Sequence, residues 1–332
     1  MRIQNFSLYP YQIPLLTGQT RTGVLIHLID EKEKEGWGET APLPKWSQET
    51  FEDALLQLNQ IKNDVTQIEW TAESCLEQLA ALNLLPSVLF GLESGILSLL
   101  SPLPAYTVPT SALLMGSSQE ILEQAQLRHR EGYKSAKLKV SQVNLDEAAQ
   151  LIHQLKDKFR LRIDVNRAWK TEESLQFFSQ FPFDTFDYVE EPFENPHDLA
   201  QFSHPLAIDE SFPQNLSLEE LEAIPHLKAL IYKPTIQGGL LNGLPLHEWT
   251  SKRGIALVLS SSFESDIGLS YVASIAHRLS LSVPVGLGTY HYLQEYLGEN
   301  FLQFSQAMAH VSSPIKIARA IEFNNNPNEV YL

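Results

Sequence analysis

Five short apolar runs between residues 136 and 234 each end in charge. Lys137 and Lys139 close the first (Ala-Lys-Leu-Lys-Val, 136–140), Asp164 and Asn166 the second (Arg-Ile-Asp-Val-Asn, 162–166), and Glu190 and Glu191 the third (188–192). Asp209 and Glu210 close the fourth (207–211), and Lys233 the fifth (230–234). Lys139, Asp164, Glu190, Asp209 and Lys233 lie 25, 26, 19 and 24 positions apart. That is one strand-plus-helix unit each, because a parallel crossover takes roughly a dozen residues or more. In a closed α/β barrel the chemistry sits at the C-terminal strand ends, so these groups would converge on one mouth.

Three carboxylates on neighbouring strands repel one another unless a cation lies between them. Hard oxygen donors without a cysteine or histidine cluster suit Mg²⁺ or Mn²⁺. The plainer alternative is that each acid caps the next helix, which is common for a single aspartate at such a junction; three in register between lysines favour the metal. Lys137 and Lys139, two apart on a strand, point to one face. Inside a barrel two ammonium groups would depress each other's pKa and leave one able to act as a base, whereas on an exposed edge strand the pair would be mere surface charge. Lys233, ending the run Leu-Ile-Tyr, would be buried without a partner unless it faced a site.

The elements that would carry these groups are legible as repeats. Residues 2–38 alternate as strands in an antiparallel meander, and 37–44 form a Gly/Pro loop. Helical spacing follows at 50–62 and 71–85, making a first α+β unit of roughly a hundred residues. The apolar segment 79–100 is interrupted by Asn83, Pro86 and Glu93 and reads as a buried helix near a domain junction. From 105 the pattern becomes strand, helix, strand, helix: a strand at 106–114, a helix capped by Ser118, a helix over 145–158, and a capping box at 217–220. Strands at 256–260 and 281–285 flank a helix over 266–277. Eight candidate strands in βα repeats imply a closed parallel barrel. The tail from 315 ends strand-like and would return to the first unit.

The whole chain bounds its partners. With 332 residues, 43% hydrophobic, it can fill two cores. A net charge of −16 argues against nucleic acid and anionic membrane surfaces as partners, which would repel the chain at long range; local lysines still admit a small anionic substrate. The single cysteine, Cys75, permits no intrachain disulfide, and the N-terminus lacks an apolar leader; a cytoplasmic enzyme is expected.

These residues resemble the enolase superfamily, which uses Lys or His bases with Mg²⁺. The Lys-x-Lys pair with a later lysine is similar to the muconate-lactonising branch, and the nearest family is o-succinylbenzoate synthase. The stretches 20–23, 38–44 with 47–50, 86–93 and 260–265 carry that likeness over nearly the whole chain. It implies a modified TIM barrel of the (β/α)7β type over 101–314, with an N-terminal α+β capping domain over 1–100 that is completed by a tail at 315–332. It further implies Asp164, Glu190 and Asp209 as ligands of Mg²⁺, for which Mn²⁺ would substitute. Lys139 would be the acid/base, Lys233 the cation on the opposite face, and Lys137 would tune Lys139. Arg162, Asn166, Glu191 and Glu210 would support them. Capping loops near 17–21 and 46–50, with Thr20, Arg21 and Ser47, would close the mouth. Gly238 and Gly239 would bring backbone close to substrate, while Ser262 and Glu264 would line its succinyl side or support other residues.

The family's reaction is dehydration of 2-succinyl-6-hydroxy-2,4-cyclohexadiene-1-carboxylate to o-succinylbenzoate, in menaquinone or phylloquinone synthesis. A small carboxylate is the implied partner, and a homo-oligomer is compatible. The rivals are an N-acylamino-acid racemase or dipeptide epimerase, and a metal-binding barrel without turnover. Dipeptide epimerases carry an Asp-x-Asp pair where this chain reads Val285-Gly-Leu-Gly-Thr289, without an acid. Gly286-Leu-Gly288 lacks the third glycine of a dinucleotide loop, and His247-Glu248 the second histidine of a zinc motif.

Overall fold

The computed structural model describes residues 1–318. The chain opens with three antiparallel strands in the order β1-β2-β3: β1 (Ile3–Pro14), β2 (Thr20–Asp30) and β3 (Glu35–Thr40). Helices α1 (Phe51–Gln67), α2 (Cys75–Ala81) and α3 (Pro86–Leu100) follow. Thr50 caps α1 in a capping box with Asp53, and Ala54, Leu58, Ile61 and Val65 form its buried stripe.

The apolar segment 79–100 is two helices rather than one. Asn83 is left-handed (φ 49°) and Pro86 opens α3, so the chain breaks between them. The helix expected over 71–85 shortens accordingly to α2. α3 packs so closely on β3 that a Cβ on Gly38 would lie 1.9 Å from the Gly91 carbonyl oxygen. Glycine is therefore required where helix and strand touch.

From residue 106 the elements are β4 (Tyr106–Pro109), β5 (Ala112–Leu114), α4 (Ser118–Arg130), β6 (Ser135–Lys139), α5 (Leu145–Leu155), β7 (Arg160–Asp164), α6 (Thr171–Phe178), β8 (Phe186–Glu190) and β9 (Leu206–Ile208). Then come α7 (Leu218–Glu222), β10 (Leu227–Tyr232), α8 (Pro234–Gln237), α9 (Gly239–Arg253), β11 (Ala256–Leu259), α10 (Asp266–Arg278), β12 (Leu302–Ser305) and β13 (Met308–Val311). Strands β5 to β11 form one parallel sheet in sequential order.

Four sequence expectations change here. The strand over 106–114 divides: β4 pairs antiparallel with β13, and only β5 joins the parallel sheet. The strand over 281–285 makes no ladder, because Pro284 has no N–H to donate. Val285 and Gly286 instead form single parallel bridges to Thr110 and Ser260, which flank β5 and β11. The cap of α4 is Ser117, one residue earlier, because Glu120 completes a capping box with it. The helix expected over 145–158 ends at Leu155. Of the tail, residues 319–332 lie outside the described residues, while Ile315 lines a cavity shared with Glu35 and Trp37 of the first domain.

α3 joins the two units through a buried acid. Glu93 accepts the N–H groups of Leu240 (2.5 Å) and Leu241 (2.8 Å) at the start of α9, and the Tyr271 hydroxyl (3.0 Å). Burial pushes its carboxyl up from the ordinary 4.5 to about 7, against the lowering effect of those donors. The folded state thus holds a proton that the unfolded chain has released, so stability falls as pH rises from about 4.5 to 7, by up to about 3 kcal/mol, and is level above. Glu93→Gln has no proton to lose. Its denaturation midpoint is expected to fall less than that of the parent between pH 5 and 7, and parallel profiles would contradict this account.

Candidate active site

Strand alternation and register stack the charged groups in two layers on one face of the sheet. Lys139 is opposite Asp164, and Asp164 opposite Glu190; one layer deeper, Lys137 is opposite Arg162, and Arg162 opposite Tyr188. Asp209 and Lys233 follow directly on β9 and β10. Lys137 Nζ lies 2.9 Å from Asp164 Oδ2 and 2.6 Å from Glu190 Oε1, and Lys139 Nζ lies 3.8 Å from Asp164 Oδ2. Lys233 pairs with Asp209 and stands 5.5 Å from the centre of the Trp46 ring. The five groups legible in the sequence, with Lys137, therefore do meet.

Their electrostatics differ from expectation at Lys137. Burial lowers its affinity for a proton, but Asp164 and Glu190 more than offset this and hold it well above the ordinary lysine value. A neighbouring ammonium does not dominate when two carboxylates lie at 2.9 and 2.6 Å. Asp164 is held low, because Lys137 and Lys139 outweigh its burial. Glu190 is pushed well up by burial and by Asp164. Lys233 is raised despite burial, chiefly by Asp209.

Among the described residues no three acidic or histidine side chains close on one point. Each acid takes an ammonium as its counter-ion: Lys137 lies between Asp164 and Glu190, and Lys233 against Asp209. Glu190 Oε2 nonetheless stays buried without a hydrogen-bond partner, on a carboxylate whose ionisation burial opposes. A hard divalent cation on these three strand ends would relieve both conditions, so the donor set fits one.

The lysines face a cavity of about 110 Å³ that Leu43 and Trp46 of the first domain cover. Leu113, Ile231 and Phe263 supply apolar wall, and Ser262 and Gly288 a polar one. Arg162 lines it too, held by Asp187 (Nε to Oδ2, 3.0 Å) and the Pro284 carbonyl (2.8 Å), with its guanidinium 5.1 Å above the Tyr188 ring. Asn166 donates its backbone N–H to Asp164 Oδ1 (3.0 Å) and its amide to Glu210 Oε1 (2.7 Å). Glu191 clamps the end of β9: Oε1 accepts the N–H groups of Asp209 and Ser211, both at 2.8 Å, and Oε2 the Ser211 hydroxyl at 2.6 Å. That sets where Asp209 points.

Other expected site residues lie elsewhere. Gly238 and Gly239 form the left-handed turn between α8 and α9 and do not line the cavity. A Cβ on Gly239 would be 2.1 Å from Glu93 Oε2, so this turn brings backbone to Glu93 rather than to a substrate. Thr20 is exposed at the start of β2. Ser47 Oγ accepts the Leu43 N–H (2.8 Å) and shapes the loop that bears Trp46. Arg21 is buried under that loop, bonded to the Pro42 (2.6 Å) and Ala41 carbonyls. Glu264 accepts the Thr235 hydroxyl (2.5 Å) and the Ser262 N–H (2.6 Å). Tyr188 was not singled out from sequence, while Trp46 opens the 46–50 loop expected at the mouth. Period two from Glu190 would have found Tyr188; for Trp46 the tertiary fold adds the place of its ring, beside Lys233.

The family described as Enolase C-terminal domain-like matches residues 120–314, and that described as MenC, N-terminal domain matches 3–99. The o-succinylbenzoate synthase of Haemophilus influenzae is 31% identical over 320 residues, covering 89% of this chain and 92% of that one. Among solved structures, MenC from Desulfotalea psychrophila superposes with a TM-score of 0.77 at 21% identity, over 94% of this chain and all of that one. The dipeptide epimerase from Methylococcus capsulatus, complexed with Mg and the dipeptide L-Arg-D-Lys, superposes with 0.81 at 17% identity, over 95% and 98%.

Proposed function

Since the chain belongs to the o-succinylbenzoate synthase family of the enolase superfamily, we propose that the lysine-lined cavity dehydrates 2-succinyl-6-hydroxy-2,4-cyclohexadiene-1-carboxylate with Lys139 as base and then acid. The protein is a hydro-lyase forming o-succinylbenzoate. The observation that carries the assignment of roles is that Lys139 and Lys233 line one cavity from strands four apart in the parallel sheet.

A carboxylate's α-proton is too weakly acidic for an amine unless the charge left behind is stabilised. Asp164, Glu190 and Asp209 would hold Mg²⁺, which supplies that stabilisation at the substrate carboxylate when bound. Neutral Lys139 takes the α-proton, and the C–H electron pair moves toward the carboxylate. As ammonium, Lys139 returns the proton to the departing hydroxyl; water leaves, the ring double bond forms and the ring becomes aromatic. Lys233, kept as ammonium by Asp209 and set against Trp46, holds charge on the other side. Leu43 and Trp46 keep water out.

The seven parallel strands, with Val285 and Gly286 bridging the flanks of β5 and β11, support a (β/α)7β barrel over 101–314 with residues 1–100 as its cap. Among the described residues no helix is long and apolar enough to cross a membrane.

The same two lysines could exchange an α-proton from both faces, as in a racemase. The test is Mg²⁺-dependent loss of the cyclohexadiene absorbance, run beside racemisation of N-succinyl amino acids. Turnover in the first assay is expected; activity in the second alone would overturn the proposal.

A further inference from the structure

The loop from β11 to α10 forms one wall of the cavity, yet it is held from outside the barrel sheet. Ser262 and Phe263 both line the cavity. Phe263 is left-handed (φ 60°), a conformation a bulky residue keeps only when its surroundings over-determine it. Ser262 beside it is 2% exposed, and its hydroxyl has no hydrogen-bond partner. A buried hydroxyl left unpaired is costly, and here it belongs to a residue that lines the space a ligand would enter.

Two buried side chains of the first domain tether this loop, beside Glu264 of the loop itself. Arg21 on β2 donates from Nε to the Phe263 carbonyl (3.1 Å). Its other nitrogens hold the Ala41 and Pro42 carbonyls, so one guanidinium joins the loop to the chain leading to Trp46. Glu39 on β3 accepts the Ser265 N–H (3.0 Å), the Ser265 hydroxyl and the Gly268 N–H (2.8 Å), and its other partner is the Tyr11 hydroxyl (2.7 Å). The loop is thus tied to the first domain at residue 263 and at residue 265, while Glu264 between them accepts the Ser262 N–H and the Thr235 hydroxyl.

We propose that Arg21 and Glu39 are positioning residues for the substrate: from the first domain they hold the 262–265 loop with Phe263 left-handed and keep Ser262 at the cavity wall with its hydroxyl unpaired, so that a turn about χ1 lets it donate to a substrate carboxylate or carbonyl oxygen. The first domain then does more than cover the mouth, because it sets a binding group that the barrel itself supplies. The identity of the ligand rests on the dehydration reading; the tether does not.

The test is a double-mutant cycle with o-succinylbenzoate as the probe. Ser262→Ala is expected to weaken its binding roughly tenfold or more, the loss of a hydrogen bond to a charged group, and to raise KM more than it lowers kcat. Glu39→Gln, which is isosteric, and Arg21→Lys are each expected to weaken binding in the parent and to add little once Ser262 is alanine. Equal losses in both backgrounds, or parent-like binding by Ser262→Ala or Glu39→Gln, would overturn the proposal. Amide hydrogen exchange in the free protein gives a readout that needs no ligand. Glu39→Gln should speed exchange at residues 262–265, and unchanged exchange there would also overturn it. Faster exchange in a protein without dehydratase turnover would fail the function and leave the tether standing.

Discussion

Lys139→Ala is expected to leave a folded protein whose dehydration rate is lower by roughly 10²- to 10⁴-fold, the range for removal of a general acid/base group. The side chain is 33% exposed and its one ion pair, to Asp164, is 3.8 Å long, so little stability depends on it. Lys137 cannot take its place. It is held as ammonium between Asp164 and Glu190, one layer deeper in the sheet. Lys139→Arg separates proton transfer from charge: arginine keeps the positive charge but does not give up a proton in a protein, so this variant should be as inactive as the alanine one. The measurements are the loss of cyclohexadiene absorbance and a thermal melt. Near-normal turnover by either variant, with Tm unchanged, would remove Lys139 from the role.

Glu190→Gln is expected to abolish stabilisation by Mg²⁺ and to lower turnover on the order of 10³-fold, the upper figure for losing one preorganised electrostatic partner. A ligand that binds only the folded state stabilises it by mass action, about 2.7 kcal/mol at a hundred times its Kd, so the parent Tm should climb with Mg²⁺ and fall back with a chelator. Glu190 is fully buried, and its Oε2 has no hydrogen-bond partner. Glutamine keeps the shape and offers a weaker oxygen donor without the charge, while Lys137 retains Asp164 as a partner. Folding should therefore survive where metal binding does not. A variant whose Tm still climbs with Mg²⁺ as the parent's does would show that the cation, if bound, sits elsewhere. Repeating the melts with Mn²⁺ asks whether charge and oxygen geometry, rather than one ion, are what the site selects.

Both expectations start from residues visible as a pattern. Period two along a strand and one charged end per βα unit are local rules, so Lys139, Asp164, Glu190, Asp209 and Lys233 could be placed on one rim from spacing alone. Local rules failed where tertiary partners compete. The run at 106–114 has strand composition throughout, but its first half satisfies its backbone against β13 and only its second half joins the parallel sheet. Gly238 and Gly239 follow the Lys233 strand as substrate-facing glycines would, yet the space Gly239 leaves is filled by Glu93, a residue of another domain, and that beside Gly238 by Asn242 and Leu89.

The sequence by itself determined the order of the parallel strands, the face on which the charges lie and the chemical types of the donors. Each of these follows from backbone periodicity and from side-chain chemistry, which do not depend on distant neighbours. Only the tertiary structure decided the ion pairs and the tethers. Lys137 is paired with two acids rather than opposed by Lys139, because its side chain extends past Arg162, which the register sets opposite it, to Asp164 and Glu190 at the strand ends. Arg21 reaches Phe263 across 242 positions, and Glu39 reaches Ser265 across 226. Contacts of that range leave no periodic trace in the chain; they exist because α3 and β3 pack the first domain against the helices that flank the parallel sheet and bring two buried charges to one cavity loop.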